Sequence, residues 1–286
     1  MAAIAGVPVL ALLLPLQVPG PPTFAVGVEN VNVDVLVTRG GRTVEGLGAR
    51  DFVLTDNGVP QQVEVVAQSS TAIDAVLALD VSSSVRGTNL SALRKAAHAF
   101  VDALCPSDSV TLVAFATELR VVSSAGEPRA TVHTAIDGLE GAGATALVDA
   151  AYAALLLTDP RRGRPLVVVF SDGVDRGSWL DPETVLATAS VEDAVVHYVD
   201  VEGALTFLEP LADATGGRGW SARRWDKLPG VFVEALDEFK SRYRLRYEPA
   251  GVALEGWHKI DVRLAGKKGA VRARPGYLVP GPSGAR

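Results

Sequence analysis

Cysteine is almost absent from this chain: Cys105 stands alone in 286 residues. A single thiol excludes an intrachain disulfide and a thiolate-built metal cluster, so any bound metal must rest on oxygen or histidine. Histidine is scarce as well. His98, His133, His197 and His258 are scattered, none has a second histidine four residues on, and each reads as a structural residue. Neither charge dominates, because 27 Lys and Arg against 33 Asp and Glu leave a net charge of -6. That mild acidity argues against a phosphate backbone as partner, and no nucleic acid is expected. Cys105, just before Pro106, reads as a small apolar residue closing an element.

Charge is also missing from the first two dozen residues, MAAIAGVPVLALLLPLQVPGPPTFA, which precede the first acidic residue, Glu29. The apolar core from Ile4 to Leu16 is shorter than the ~20 residues that cross a bilayer, and Thr23-Phe24-Ala25 ends in the small residue of a cleavage site. The expectation is a signal peptide over 1–25. No membrane span follows in the mature chain, which is then exported to the periplasm or the extracellular space. The n-region lacks the usual Lys or Arg, which leaves an uncleaved anchor open.

What is present is 48% hydrophobic residues, enough for a real core, arranged in two patterns. Val28 to Val37 alternates apolar with polar residues, as a half-buried strand does. Two more strands, 51–54 and 61–66, flank the turn Asp56-Asn57-Gly58. From Ala72 the pattern becomes fully apolar strands, such as Ala75 to Leu79 and Leu166 to Phe170, alternating with helices over 89–104, 131–139, 146–157, 182–189, 207–214 and 231–239. Strands over 110–116, 119–123 and 194–201 complete this part. Such alternation predicts an α/β, doubly wound, mainly parallel sheet. Beyond it, 243–247, 257–264 and 271–279 return to strand alternation. Exposed strand edges are a liability, so the two terminal β segments are expected to pack into one small sandwich with the α/β domain inserted. Two separate appendages are the alternative.

Chemistry concentrates where the apolar strands end. Ala75 to Leu79 runs into Asp80-Val81-Ser82-Ser83-Ser84, and Leu166 to Phe170 runs into Ser171-Asp172-Gly173. Ligands bind open α/β sheets beyond the carboxyl ends of the strands. The Gly-rich loop Gly141-Ala-Gly143-Ala-Thr145 opens a helix between them, so three loops are expected to converge on one rim. Taken singly, Asp80 is a turn residue and Ser82 to Ser84 a helix cap. Gly138, Gly141 and Gly143 follow a helix and lack the GxGxxG spacing of a dinucleotide loop. A phosphatase nucleophile at Asp80 would usually have a second acid where Ser82 stands, and Ser171 lacks a Gly-x-Ser-x-Gly elbow. Asp149 and Asp175 read as a solvated helix face and a turn, with support of the rim as the alternative. Trp179 either lines the rim or is buried under its loop.

Asp-x-Ser-x-Ser after the first strand, a Thr in a Gly-rich loop and an Asp-Gly after a later strand resemble the metal-ion-dependent adhesion site of von Willebrand factor A domains. The resemblance covers roughly residues 71–242, and Ser83 stands where many members have Gly. It implies a divalent metal held by Asp80, Ser82, Ser84, Thr145 and Asp172, with the hydroxyls binding directly and the carboxylates directly or through water. Oxygen donors suit Mg²⁺, and Mn²⁺ should substitute. It further implies a non-enzymatic adhesion module whose protein partner supplies an Asp or Glu carboxylate to the ion. A metal-assisted hydrolase is the competing reading, although no His or unassigned Glu in the rim loops offers a general base. A structural protein with a vestigial site is the third.

The flanks, Val44-Glu-Gly-Leu47, 51–62, Tyr243-Arg-Leu-Arg-Tyr247, Trp257-His-Lys-Ile260 and Arg272 to Tyr277, are similar to a bacterial, acidobacterial-type von Willebrand A-related family of exported proteins. The expected organisation is thus a leader at 1–25, β segments at 26–70 and 243–280 packing together, the A-type domain at 71–242, and a tail at 281–286.

Overall fold

The computed structural model describes residues 30–66, 71–201 and 207–281. The expected leader and nearly all of the tail lie outside the described residues. The N-terminal segment supplies β1 (Val31–Arg39), β2 (Arg42–Thr43), β3 (Phe52–Asp56), β4 (Val59–Gln61) and β5 (Glu64–Val65). The body follows with β6 (Ile73–Asp80), α1 (Thr88–Ala103), β7 (Ser109–Phe115), β8 (Leu119–Ser123), α2 (Arg129–Asp137) and α3 (Leu147–Leu156). It continues through β9 (Arg164–Phe170), α4 (Pro182–Val191), β10 (Val195–Asp200), α5 (Leu208–Ala214), β11 (Gly219–Ser221) and α6 (Leu228–Lys240). The chain closes with β12 (Tyr243–Tyr247), β13 (Gly256–Leu264), β14 (Ala270–Arg272) and β15 (Gly276–Val279).

The body is the expected α/β fold. Its six strands run β11-β10-β9-β6-β7-β8, parallel except for β8 at one edge, which returns antiparallel beside β7. Alternate residues of β6 explain why that strand is apolar throughout. Ala75, Leu77 and Leu79 pack with α1, α2 and α6, whereas Val76 and Ala78 pack with α3, α4 and α5. A strand sandwiched by helices on both faces has no solvent side to spend polar residues on.

The terminal segments form a β-sandwich. One sheet is β14-β1-β12-β5 with β2 beside β1; the other is β15-β13-β3-β4. Odd residues of β1, from Val31 to Val37, enter the sandwich core with Phe52, Leu54, Tyr243, Leu245, Ile260 and Val279. Even residues of β1 face the body instead. Asp34 accepts from Arg164 and from Arg244, and Asn32 reaches Asp193. The flanking motif residues meet in this sandwich. Asp56 is fully buried, and its carboxylate accepts from Tyr247 (2.8 Å) and Tyr277 (3.0 Å) and contacts His258 Nδ1 at 2.9 Å. The Tyr243 hydroxyl donates to Val44 O at 2.7 Å and accepts from Leu47 N at 3.0 Å.

Two expectations about strands need correction, and one strand went unread. The strand expected over 61–66 is two, because the chain changes sheets: Gln61 pairs with Leu54 in one, while Glu64 and Val65 pair with Arg246 and Leu245 in the other. The strand expected over 271–279 breaks at Arg274-Pro275. Proline has no N–H for a ladder, and the Arg274 side chain turns to cap α4 at Glu192 O (3.1 Å) and Ser190 O (3.0 Å). The three-residue edge strand β11 was too short to show a period. Cys105 follows directly on the end of α1, as expected, and is exposed.

Candidate metal site

The crevice lies where theory for open α/β sheets places it, beyond the carboxyl ends of β6 and β9. The two strands pair in parallel with Leu79 opposite Phe170, so Asp80 and Ser171 emerge side by side. Asp80 is fully buried. Its Oδ1 accepts the Ser82 N–H at 2.8 Å, which folds the chain back into a tight turn, and its Oδ2 accepts from Ser171 Oγ at 2.6 Å. That turn aims the serine hydroxyls outward. Ser82 Oγ lies 3.1 Å from Ser84 Oγ, and Ser84 Oγ donates to Asp172 Oδ1 at 2.8 Å.

The third loop is tied to the first by backbone. Ala142 N donates to Val81 O (2.8 Å) and Ser83 N to Gly143 O (3.0 Å), while Arg86 Nε donates to Gly141 O (3.0 Å). This approach explains the glycines. A Cβ at Gly141 would lie 2.1 Å from Val85 O, and Gly143 has a φ of +91° with Thr117 Oγ1 2.5 Å from where a Cβ would stand. The loop then delivers Thr145, 7% exposed, to the crevice.

Of the five residues expected to hold a metal, Ser82, Ser84, Thr145 and Asp172 line one crevice of about 430 Å³, together with Ser83, Gly143, Gly173, Val174 and Arg176. Asp80 sits behind them with both oxygens engaged. Burial pushes its carboxyl above the ordinary value; hydrogen bonds from Ser171 and Ser82 pull it partly back, and the Asp172 charge adds to the upward push. Two carboxylates and three hydroxyls would offer an all-oxygen donor set, the chemistry that hard divalent cations prefer. Among the described residues no group of three or more His, Cys, Asp or Glu is placed to hold a metal; this crevice instead brings together hydroxyls and the Asp172 carboxylate.

Sequence reasoning missed Ser171, although its place beside Asp80 follows from the strand register. It also misjudged Asp149 and Asp175, which are neither free turn nor solvated face. Asp175 Oδ1 caps α3 through Leu147 N (2.7 Å) and Val148 N (3.2 Å), and the Asp149 carboxylate accepts from Trp179 N (3.0 Å) and Leu180 N (2.9 Å). The histidines lie away from the crevice and find partners of their own. His98 and His133 meet Nδ1 to Nδ1 at 2.7 Å between α1 and α2, and His197 contacts Glu238 at 3.1 Å.

Several solved structures share this architecture. A von Willebrand factor type A protein from Catenulispora acidiphila superposes with a TM-score of 0.55 at 15% identity, covering 87% of this chain and 77% of its own. Proximal thread matrix protein 1 from the mussel byssus, solved with a zinc-occupied MIDAS motif, gives 0.54 at 18% identity over 67% of this chain, which spans 49% of the mussel protein. The PilB minor pilin from Streptococcus sanguinis gives 0.50 at 14% identity, over 61% of this chain and 63% of the pilin. At such identities the likeness is one of fold. No curated protein matches the sequence significantly. Residues 75–174, which run from β6 to just past Asp172, match the profile of the von Willebrand factor type A domain. This chain therefore carries a von Willebrand factor type A domain.

Proposed function

We propose that the chain is an exported, non-enzymatic binding protein that holds a divalent cation at the rim of its A-type domain and uses it to capture a carboxylate of a protein partner. One observation carries this reading: the Ser82–Ser84–Asp172 chain of oxygens, spaced at 3.1 and 2.8 Å, opens into a crevice shared with Thr145. Ser82, Ser84 and Thr145 would hold the ion through their hydroxyls, and Asp172 directly or through water. Asp80, whose oxygens hold Ser82 N and Ser171, would act through water and by fixing the turn. The bound ion supplies a Lewis-acidic position for a carboxylate from outside. Since most of the donors are neutral, they leave much of its charge uncancelled.

Mg²⁺ suits the donor set, with Mn²⁺ as a substitute; the zinc in the mussel protein's motif makes Zn²⁺ a third ion to test. The crevice lining holds one carboxylate, Asp172, and no histidine, so a general base for hydrolysis is hard to assign there. Among the described residues no helix is long and apolar enough to cross a membrane. We assign 71–242 to the A-type domain and 26–70 with 243–280 to the sandwich, and export to the leader at 1–25.

Calorimetric titration of the full chain with Mg²⁺, Mn²⁺ and Zn²⁺ tests the site. Saturable binding that is lost in Asp80→Ala and Thr145→Ala is expected. Absence of binding, or binding indifferent to both changes, would sink the reading, and metal-dependent phosphoester turnover lost in Ser82→Ala would indicate a hydrolase instead.

A further inference from the structure

The loop that leaves the crevice after Asp172 carries two of its large apolar side chains on the outside. Trp179 is 94% exposed and Val174 is 53% exposed. The expectation that Trp179 is either at the rim or buried under this loop is thus decided for exposure. Its backbone is not loose. Arg176 N and Gly177 N donate to Thr145 O at 2.9 and 3.0 Å. Ser178 Oγ donates to Asp175 Oδ1 at 2.5 Å and accepts from Asp149 N at 3.1 Å. Trp179 N and Leu180 N are held by the Asp149 carboxylate, and Leu180 packs against the body's core.

On a mobile loop a partner would have to order backbone and indole together; on this clamped loop only the indole's own two torsions remain to be ordered. Rigid, amphipathic aromatic residues of this kind anchor many protein interfaces. Charge says what accompanies the apolar contact. Arg176, exposed, lines the same crevice as Val174, the serine hydroxyls and Asp172; it offsets the Asp172 charge, so that with a divalent cation bound the polar half of the surface would be net positive and favour an anion.

We propose that Val174, Arg176 and Trp179 form the second half of the partner's seat. The occupant is an extended segment of another protein that sets an Asp or Glu in the crevice beside Arg176 and lays an aromatic or large aliphatic residue from the same segment on Trp179. This rests on the carboxylate-binding reading of the crevice and adds the side chain that must accompany the acid. A polyacidic segment fits poorly, because nothing in it would cover the indole.

The test is an array of immobilised peptides with a central Asp, Glu, Asn or Gln and with Trp, Phe, Leu or Ser at each flanking position. It is probed with the full chain in Mg²⁺ and in EDTA. Wild type should select an acid together with an apolar residue on one side. Trp179→Ser should keep the acid and metal dependence but lose about tenfold of the apolar preference, the effect of truncating an interface anchor. Because Trp179 is exposed, that variant should keep the wild-type far-UV circular dichroism.

An apolar preference absent from wild type, or unchanged in Trp179→Ser, overturns the proposal. Magnesium-induced self-association that Trp179→Ser abolishes overturns it too, by giving the seat to a second copy. Apolar selection that depends on Trp179 but persists in EDTA without selection for acid supports the anchor and refutes the metal reading. The two failures are thereby distinguished.

Discussion

The guanidinium of Arg164 pairs with the carboxylate of Asp34, 130 residues earlier, and both side chains are almost completely buried: Nε lies 3.0 Å from Oδ1, and Nη2 approaches the same oxygen. Arg164 begins the central strand β9, whereas Asp34 is one of the even residues of β1 turned away from the sandwich core. The pair joins the two units of the fold. Arg164 also donates to Phe239 O and Arg242 O, both at 3.4 Å, and its backbone N–H to Ala72 O at 2.7 Å. It thus holds the start of the body and its end in one place.

Removing one partner of a buried ion pair strands the other. Arg164→Met is expected to cost about 3–5 kcal/mol of stability, because Asp34 is left with one longer hydrogen bond, from Arg244 at 3.3 Å, and the charge of Arg242. Urea unfolding of the full chain reads this out. A loss under about 1 kcal/mol, the size of a surface pair, would show that the pair contributes no more than an exposed one.

The same pair sets an acid-side pH dependence. Burial alone would raise the Asp34 carboxyl, but Arg164 and Arg244 outweigh it and hold it below its ordinary 3.8. A depressed carboxylate stabilises the fold at every pH above the unfolded value and loses that contribution as pH falls through the lower, folded value. Urea midpoints measured downward from pH 4 should therefore fall more steeply in wild type than in Asp34→Asn. Parallel curves would contradict this.

Ser171 is fully buried with its hydroxyl on Asp80. Ser171→Ala leaves a buried carboxylate oxygen without that donor, at a cost of about 1–3 kcal/mol. It should also weaken Mg²⁺ binding, since Asp80 shapes the turn that carries Ser82 and Ser84. Thermal melts with and without Mg²⁺ check both effects, and an unchanged melting point in EDTA would contradict the first.

Gly141→Ala should behave unlike an ordinary glycine change. Its methyl group would meet backbone, Val85 O at 2.1 Å, so the rim loops must part, destabilising the fold by about 1–3 kcal/mol and lowering metal affinity. Gly230→Ala, in α6 with nothing within 4 Å of the new methyl, should be neutral or stabilising by up to ~1 kcal/mol. Equal melting points for the two variants would refute the close-approach account of Gly141.

The body was legible in sequence because its strands are apolar on both faces and its helices keep their period, so elements such as β6 and α1 fall within two residues of expectation. The rim was legible for a related reason: Asp80 to Ser84 and Asp172 follow directly on β6 and β9, and a parallel sheet must bring strand ends together, while Thr145 arrives on the glycine-rich loop before α3. What escaped was held by contacts between distant residues. Asp34 looks like any polar position in an alternating strand, and nothing near Arg164 in the chain announces its partner. Asp149 and Asp175 likewise satisfy backbone N–H groups about thirty residues away, a task that leaves no local pattern. The sheet switch between Gln61 and Glu64 has no hydrophobic signature, since both halves look like strand.

The pairing of β5 with β12 has a further consequence. These strands run antiparallel, with Val65 opposite Leu245, and the chain leaves the first to re-enter at the second. Topologically, everything between them, crevice and Trp179 included, is the loop of one β-hairpin. The strands of a hairpin govern where its loop leaves and returns, while the composition of that loop has little hold on their register. The rim loops are therefore separated along the chain from the residues that set the sandwich register, and the two units meet through side-chain links such as Arg164 with Asp34 and Arg244 with Asp193.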